Sequence, residues 1–155
     1  MTEYTVLEVR AAKLAQKAHH GTERKYSIHR PLPPYIVHPA AVADIVRSVG
    51  GTTEMLASAW LHDVVEDCNI SLDEIRFELT PRIAELVESL TDVAKKEDGN
   101  RAVRVAMNRD HSISGDAESQ TIKMADGINN SYRIWDLAPS SLQPTGTKSA
   151  CWSTA

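Results

Sequence analysis

Apolar residues recur at helical spacing along most of this chain. Leu7, Ala11, Leu14, Ala15 and Ala18 mark one face of a first helix over about residues 3–20. Across residues 21–39 the periodicity stops, and Pro31, Pro33 and Pro34, with Tyr26 and Arg30, describe an ordered, non-helical loop. Pro39 fits the first position of a second helix, with His38 beside it, and that helix ends at the stop signal Gly50-Gly51. Thr52 or Thr53 then caps an apolar helix that carries Leu61-His62-Asp63-Val64-Val65-Glu66-Asp67. Ser71, with Glu74 three residues on, reads as the capping box of a short helix. Thr80-Pro81 opens another, whose packed face is Ile83, Leu86, Val87 and Leu90. A polar link over residues 95–99 leads to Asn100 and a helix bearing Arg101, Arg104 and Arg109, and a last helix covers about residues 116–135. No strand set and no repeat is visible. Beyond Asp136 the chain turns to Pro, Ser, Thr, Gln and Gly without a period, the composition of a flexible tail. The expected fold class is all-α: a compact multi-helix bundle over residues 1–136, followed by a tail over 137–155.

The acidic run inside the third helix carries the first chemical signal. On a continuous helix His62 and Glu66 lie four residues apart, as do Asp63 and Asp67, and Asp63 and Glu66 lie three apart. All four side chains then share one side. Stacked carboxylates on an otherwise apolar helix repel one another, and burying them unpaired costs several kcal/mol. A divalent cation is the simplest compensation, because it reverses the local electrostatics. His38, whose backbone is restricted by the following proline, and Asp126, four residues after Ile122 and leaning to the same packed face, are the candidates to complete such a site with His62 and Asp63. Two imidazoles and two carboxylates suit Mn, Fe, Zn or Ni better than a structural thiolate-zinc site. Glu66, one turn beyond His62 and Asp63, can orient or deprotonate a water, and Asp67 can assist proton movement or order a second water.

Composition narrows the partners. The chain has 155 residues, 42% hydrophobic and 25% charged, enough for one domain with a single core. A net charge of −4 argues against a binder of nucleic-acid polymers, while leaving room for a local basic pocket. Cys68 and Cys151 form no CxxC motif, which is consistent with reduced thiols and a cytoplasmic protein. No apolar run approaches the roughly 20 residues that span a bilayer, and the acidic, polar N-terminus has no signal-peptide core.

Four blocks of the sequence carry a resemblance. Ala18-His19-His20-Gly21 with Arg24-Lys25, Pro34-Tyr35-Ile36-Val37-His38-Pro39, residues 61–67, and Thr121-Ile122-Lys123-Met124-Ala125-Asp126 with Asn130 resemble, in order, the H…HD…D signature of the HD-domain metallophosphohydrolases. The likeness is greatest to the hydrolase domains of RelA/SpoT-type alarmone enzymes and the small Mesh1-like alarmone hydrolases, and it covers about residues 5–136. The segment over residues 97–102 is also similar to small bacterial and phage members. The resemblance implies an HD-domain bundle in which His38, His62, Asp63 and Asp126 hold one divalent metal, usually manganese. It implies that Glu66 and Asp67 are the catalytic acidic pair. Arg24 and Lys25 would meet phosphate charge, and Asn130 the ribose or a phosphate. The implied reaction is removal of the 3′-pyrophosphate of (p)ppGpp, a small-molecule nucleotide. A broader nucleotide or NADPH phosphohydrolase, and a nucleotide-binding module without turnover, are the alternatives.

Taken singly, several of these residues have plainer readings. His62 alone reads as a core histidine, and Arg24 with Lys25 as a surface basic pair. Arg101 and Arg104 share a helix face that serves equally well as a solvated surface or a phosphate contact. Met55, Met107 and Met124 read as core filler. The chain also departs from the family's pattern. Residues 29–33 lengthen the first loop with prolines. Gly127 stands mid-helix where a larger residue is usual, which suggests close packing or a ligand there. The sequence from Leu137 onward offers no amphipathic helix where relatives continue with more, so base recognition can draw on a partner subunit in a homo-oligomer.

Overall fold

The computed structural model describes residues 4–24 and 33–137, the last six as helical backbone only. The proline-rich loop tip with Lys25 and the expected tail beyond Leu137, Cys151 included, lie outside these residues. The architecture is all-α. Helix α1 spans Val6–Ala18, α2 Val37–Ser48, α3 Thr53–Leu61, α4 Val64–Asp67 and α5 Leu72–Glu78. Helix α6 spans Pro81–Leu90, α7 Arg101–Ser114 and α8 Ala117–Leu137. A 3-10 turn at Lys96–Asp98 occupies the polar link. No helix among the described residues is long and apolar enough to cross a membrane.

Capping fixes most of the boundaries. Thr5, Thr52, Ser71, Thr80 and Asn100 each turn a side-chain oxygen onto the backbone N–H groups of the turn that follows. Glu74 completes the Ser71 box by accepting from the Ser71 amide at 2.8 Å. Helix α2 ends in a Schellman arrangement, with the Gly51 amide donating to Val46 O and the Gly50 amide to Arg47 O, both at 3.0 Å. Gly50 sits at φ 78°, which favours glycine. A Cβ on Gly51 would come within 2.4 Å of Val46 Cγ1, so this pair is fixed by geometry as well as by turn chemistry.

Two boundaries differ from the sequence reading. Helix α2 begins at Val37, so Pro39 is its third residue and not its first. The first turn of a helix has no intrahelical use for its N–H groups, and proline is therefore tolerated at that position too. His38 is thereby inside the first turn. The acidic run is not one continuous helix: α3 stops at Leu61, His62-Asp63 form a turn, and α4 restarts at Val64. Asp63 has φ −105° and ψ −4°, off the helical values, and His62 Nδ1 lies against the Ala59 carbonyl at 2.8 Å.

Helix α3 is the centre of the bundle and packs against α1, α2, α6 and α8. Small residues let α1 approach: Ala11, Ala15 and Ala57 have no exposed surface and pack with Leu61, Val64 and Ile75. On the other side Ala59, Leu56 and Met55 meet Val42 and Val46 of α2 and Ile122 and Ala125 of α8. Trp60 contacts both clusters. Its Nε1 donates to Glu8 Oε1 at 3.3 Å. Glu8, only 1% exposed, also takes a hydrogen bond from Arg47 Nη2, an ion pair that helical periodicity gives no reason to expect. Losing one partner of a buried pair leaves an uncompensated charge, so Arg47→Ala is expected to destabilise the protein by about 3–5 kcal/mol, measured by urea unfolding.

Two expectations about packing fail. Met55 is a core residue, but Met107 and Met124 are 37% and 68% exposed. Helix α7 buries no residue, because it docks through polar groups. Asn108 Oδ1 accepts from the Val93 and Ala94 amides at 3.0 and 2.8 Å, and His111 Nε2 lies 3.0 Å from Glu88 O. Gly127 is not a close-packing site either, since a Cβ there would meet nothing within 4 Å. Gly127→Ala is therefore expected to raise stability by about 0.4–1 kcal/mol, with no change in metal binding. Thermal melts with and without metal check both parts.

Candidate metal centre

Three elements meet at one point. His38 comes from the first turn of α2, His62 from the end of α3, and Asp126 from the middle of α8. His38 Nε2, His62 Nε2 and an Asp126 carboxylate oxygen all lie within 4.8 Å of one another. The two Nε2 atoms are 3.3 Å apart, and Asp126 Oδ1 is 3.2 Å from His38 Nε2 and 3.7 Å from His62 Nε2. Asp63 Oδ2 adjoins the same group, 3.0 Å from His62 Nε2 and 3.6 Å from His38 Nε2. Both histidines are buried, at 3% and 4% exposure.

The far side of each ring fixes what the near side presents. The Ala59 carbonyl can only accept, so His62 Nδ1 carries the proton of that 2.8 Å contact. His38 Nδ1 lies 2.8 Å from Asn129 Oδ1. With both Nδ1 atoms protonated, each neutral ring offers an Nε2 lone pair toward the other and toward two carboxylates. That arrangement repels unless a cation or a proton intervenes. Burial opposes charging His62, yet the hydrogen bond and charge of Asp63, with Asp126 adding to them, outweigh it and push its pKa above the usual imidazole value. Burial likewise raises the cost of charging Asp63 and Asp126, but the two histidines, and Tyr35 at Asp63, hold both carboxyls below the usual range. Two imidazole nitrogens beside carboxylate oxygens form a donor set that fits a divalent cation.

A second layer surrounds these groups. Tyr35 donates its hydroxyl to Asp63 Oδ2; burial first, and then that carboxylate, push the tyrosine pKa up. The Tyr35 ring stacks at 4.6 Å on buried His19, whose Nδ1 lies 3.1 Å from Cys68 Sγ. Burial lowers the His19 pKa despite Asp63 and Asp67 nearby. Residues 22–24 pair with 33–35, through the Arg24 amide to Pro33 O at 3.0 Å and the Tyr35 amide to Thr22 O at 2.8 Å. This bridge brings Arg24 and Tyr35 to the centre from opposite sides of the loop. Arg24, 8% exposed, donates through Nη2 to Asn129 Oδ1 at 3.1 Å and to Asn130 Oδ1 at 3.3 Å. Asn130 Nδ2 in turn donates to Asp126 Oδ1 at 2.7 Å.

The other residues picked out by sequence stand apart from the cluster. Glu66 and Asp67 are exposed beyond the turn at Asp63. Glu66 Oε1 accepts from the Asp92 amide at 2.7 Å, and surrounding protein, with Asp92 and Asp63, raises its pKa above the usual carboxylate value. Arg101 is exposed and Arg104 Nη1 donates to Gly99 O at 2.6 Å. Neither of these two arginines bonds to the histidine–aspartate cluster. Tyr35, Asn129 and buried His19 are neighbours of the site to which the sequence reading gave no definite part. Asn129 carried a usable signal, since it lies three residues after Asp126 and so on the same side of a helix.

The HD-domain family matches residues 11–137. The chain belongs to the HD-domain family, and within it to the family of the MESH1 proteins. It is 32% identical over 141 residues to the guanosine-3′,5′-bis(diphosphate) 3′-pyrophosphohydrolase MESH1 of Mus musculus, covering 88% of this chain and 74% of that protein. The Xenopus tropicalis MESH1 is 31% identical over 142 residues, covering 88% and 73%. A probable guanosine-3′,5′-bis(diphosphate) 3′-pyrophosphohydrolase of Synechocystis sp. is 35% identical over 109 residues, 68% of this chain; the match spans only 14% of that longer protein. The solved structure of a metazoan SpoT ortholog, described as hydrolysing ppGpp, shares the fold: its TM-score is 0.74 at 23% identity, over 91% of this chain and 77% of that one.

Proposed function

We propose that this protein is a metal-dependent phosphohydrolase that removes the 3′-pyrophosphate of (p)ppGpp. The observation that carries the reading is the meeting of His38 Nε2, His62 Nε2 and an Asp126 oxygen within 4.8 Å. The likeness to MESH1 over roughly three quarters of that protein's length supplies the substrate class. In this reading His38, His62, Asp63 and Asp126 hold one divalent ion, manganese by preference. A divalent ion in such a site supplies Lewis acidity and brings the pKa of a bound water toward neutrality.

The chain's own residues do the rest. Water attacks the phosphorus that carries the 3′-oxygen; a new P–O bond forms, the ester P–O bond breaks, the 3′-oxygen departs with the nucleotide, and the pyrophosphoryl group is released with the water's oxygen. Glu66 takes the proton from the attacking water, and Asp67 helps return one to the departing 3′-oxygen. Arg24, Lys25 and Asn130 form the substrate side, with the Arg24 guanidinium offsetting charge on the transferred group. The catalytic unit is a single HD domain over residues 1–136 acting in the cytoplasm, and a second copy can contribute to the base pocket.

The test is hydrolysis in the presence of Mn²⁺ of ppGpp, pppGpp, NADPH and deoxynucleoside triphosphates, followed chromatographically. Release of pyrophosphate from ppGpp is the expected result. Preference for NADPH or a deoxynucleotide would move the substrate within the HD class, and no turnover of any of them would overturn the enzyme reading.

A further inference from the structure

The two histidines of the centre are oriented by different kinds of group. His62 is held by a backbone carbonyl three residues earlier in its own helix, which comes with the fold. His38 depends on a side chain 91 positions away, Asn129 of α8, at 2.8 Å. Asn129 Oδ1 has a second neighbour, Arg24 Nη2 at 3.1 Å. Arginine can only donate, so this contact fixes which end of the amide faces the site: it is the carbonyl oxygen. An oxygen acceptor in turn requires His38 Nδ1 to carry the proton, and the lone pair of the neutral ring is then at Nε2. Nε2 is the atom that faces His62 and Asp126. Helix α8 therefore meets the His38 ring at both edges: Asn129 accepts from Nδ1, and Asp126 lies beside the Nε2 lone pair.

We infer that Asn129 is the positioning residue of the metal centre: its side-chain carbonyl, locked by Arg24, sets the tautomer and ring orientation of His38 for metal binding. This rests on the metal reading given above. The effect does not require Asn129 to touch metal or substrate. Partners of this kind behind a metal-bound imidazole contribute about 10–100-fold in metal affinity.

The experiment compares metal-depleted wild type with Asn129→Leu, close in size but without the acceptor, and Asn129→Asp, which keeps an oxygen there. Titration with Mn²⁺ by calorimetry should show binding weakened about 10–100-fold in Asn129→Leu and held within a few-fold of wild type in Asn129→Asp. ¹⁵N NMR of the His38 imidazole, without metal, should show the neutral ring protonated at Nδ1 in wild type and Asn129→Asp, and a mixture of tautomers in Asn129→Leu. Rescue by aspartate separates positioning from a general loss of packing. Wild-type tightness in Asn129→Leu, or equal weakening in both variants, overturns the inference. So does a wild-type His38 whose neutral ring carries its proton on Nε2, a result that stands even if Asn129→Leu fails to fold. Wild type that binds no Mn²⁺ at all overturns the metal reading together with this one, whereas normal wild-type binding with an unaffected Asn129→Leu overturns this one alone.

Discussion

Replacing Glu66 with Gln is expected to slow pyrophosphate release from ppGpp by about 10²–10⁴-fold, the range for loss of a positioned general base, while leaving the fold and metal affinity intact. The separation is possible because of how Glu66 is held. Its Oε1 accepts from the Asp92 amide at 2.7 Å, and the amide oxygen of glutamine can take the same bond. What the substitution removes is the capacity to receive a proton. The pKa of Glu66 is raised from its ordinary 4.5 by the protein around it and by Asp92 and Asp63, only partly offset by the Asp92 amide and Lys123. A base must be deprotonated to act, so activity should fall as pH drops through this raised value, at a less acid pH than an ordinary carboxylate would give. That acid limb should disappear from the residual activity of Glu66→Gln. Rate–pH profiles of the two proteins, with metal content measured alongside, check the assignment. A variant that keeps the wild-type rate would show that another group handles the proton.

The placement of Glu66 also shows where sequence reasoning lost resolution. Helical spacing puts His62, Asp63, Glu66 and Asp67 on one side only if the helix is continuous. The turn at His62-Asp63 separates the two candidate ligands, buried His62 and half-buried Asp63, from the two exposed acids. Nothing in the composition of residues 61–67 signals that break, because none of them is glycine or proline; the Asp63 backbone departs from helical values in tertiary context. The caps at Thr52, Ser71, Thr80 and Asn100 were legible because they depend on residues within three positions of one another. The candidate ligands were legible because their residue types are uncommon at buried helical positions. The contacts that could not be read are long-range ones between ordinary polar residues: Glu8 with Arg47 and Trp60, Tyr35 with Asp63, and Asn129 with His38 and Arg24. Helix α7 marks the opposite failure. Its Met107 reads as core filler, yet it is 37% exposed, and Asn108 and His111 dock the helix to backbone groups instead.

Adding Mn²⁺ to metal-depleted protein is expected to raise its stability, by about 2.7 kcal/mol when the free ion reaches 100 times its dissociation constant. For a domain of this size that is a rise of several degrees in thermal midpoint. The physical source is the centre itself. Without an ion, two imidazole nitrogens 3.3 Å apart face two half-buried carboxylates, and only protonation relieves the repulsion between the nitrogens. An ion that binds the folded chain and not the unfolded one draws the equilibrium toward the fold. The shift should vanish in His62→Ala and in Asp126→Asn, each of which removes one proposed ligand. It should persist in Glu66→Gln and Gly127→Ala, whose side chains lie outside the cluster. Differential scanning calorimetry across a Mn²⁺ series for the five proteins separates a specific centre from loose ion binding by exposed acids. A shift that survives both ligand substitutions would place the bound ion elsewhere on the molecule and remove the basis for assigning the reaction to this site.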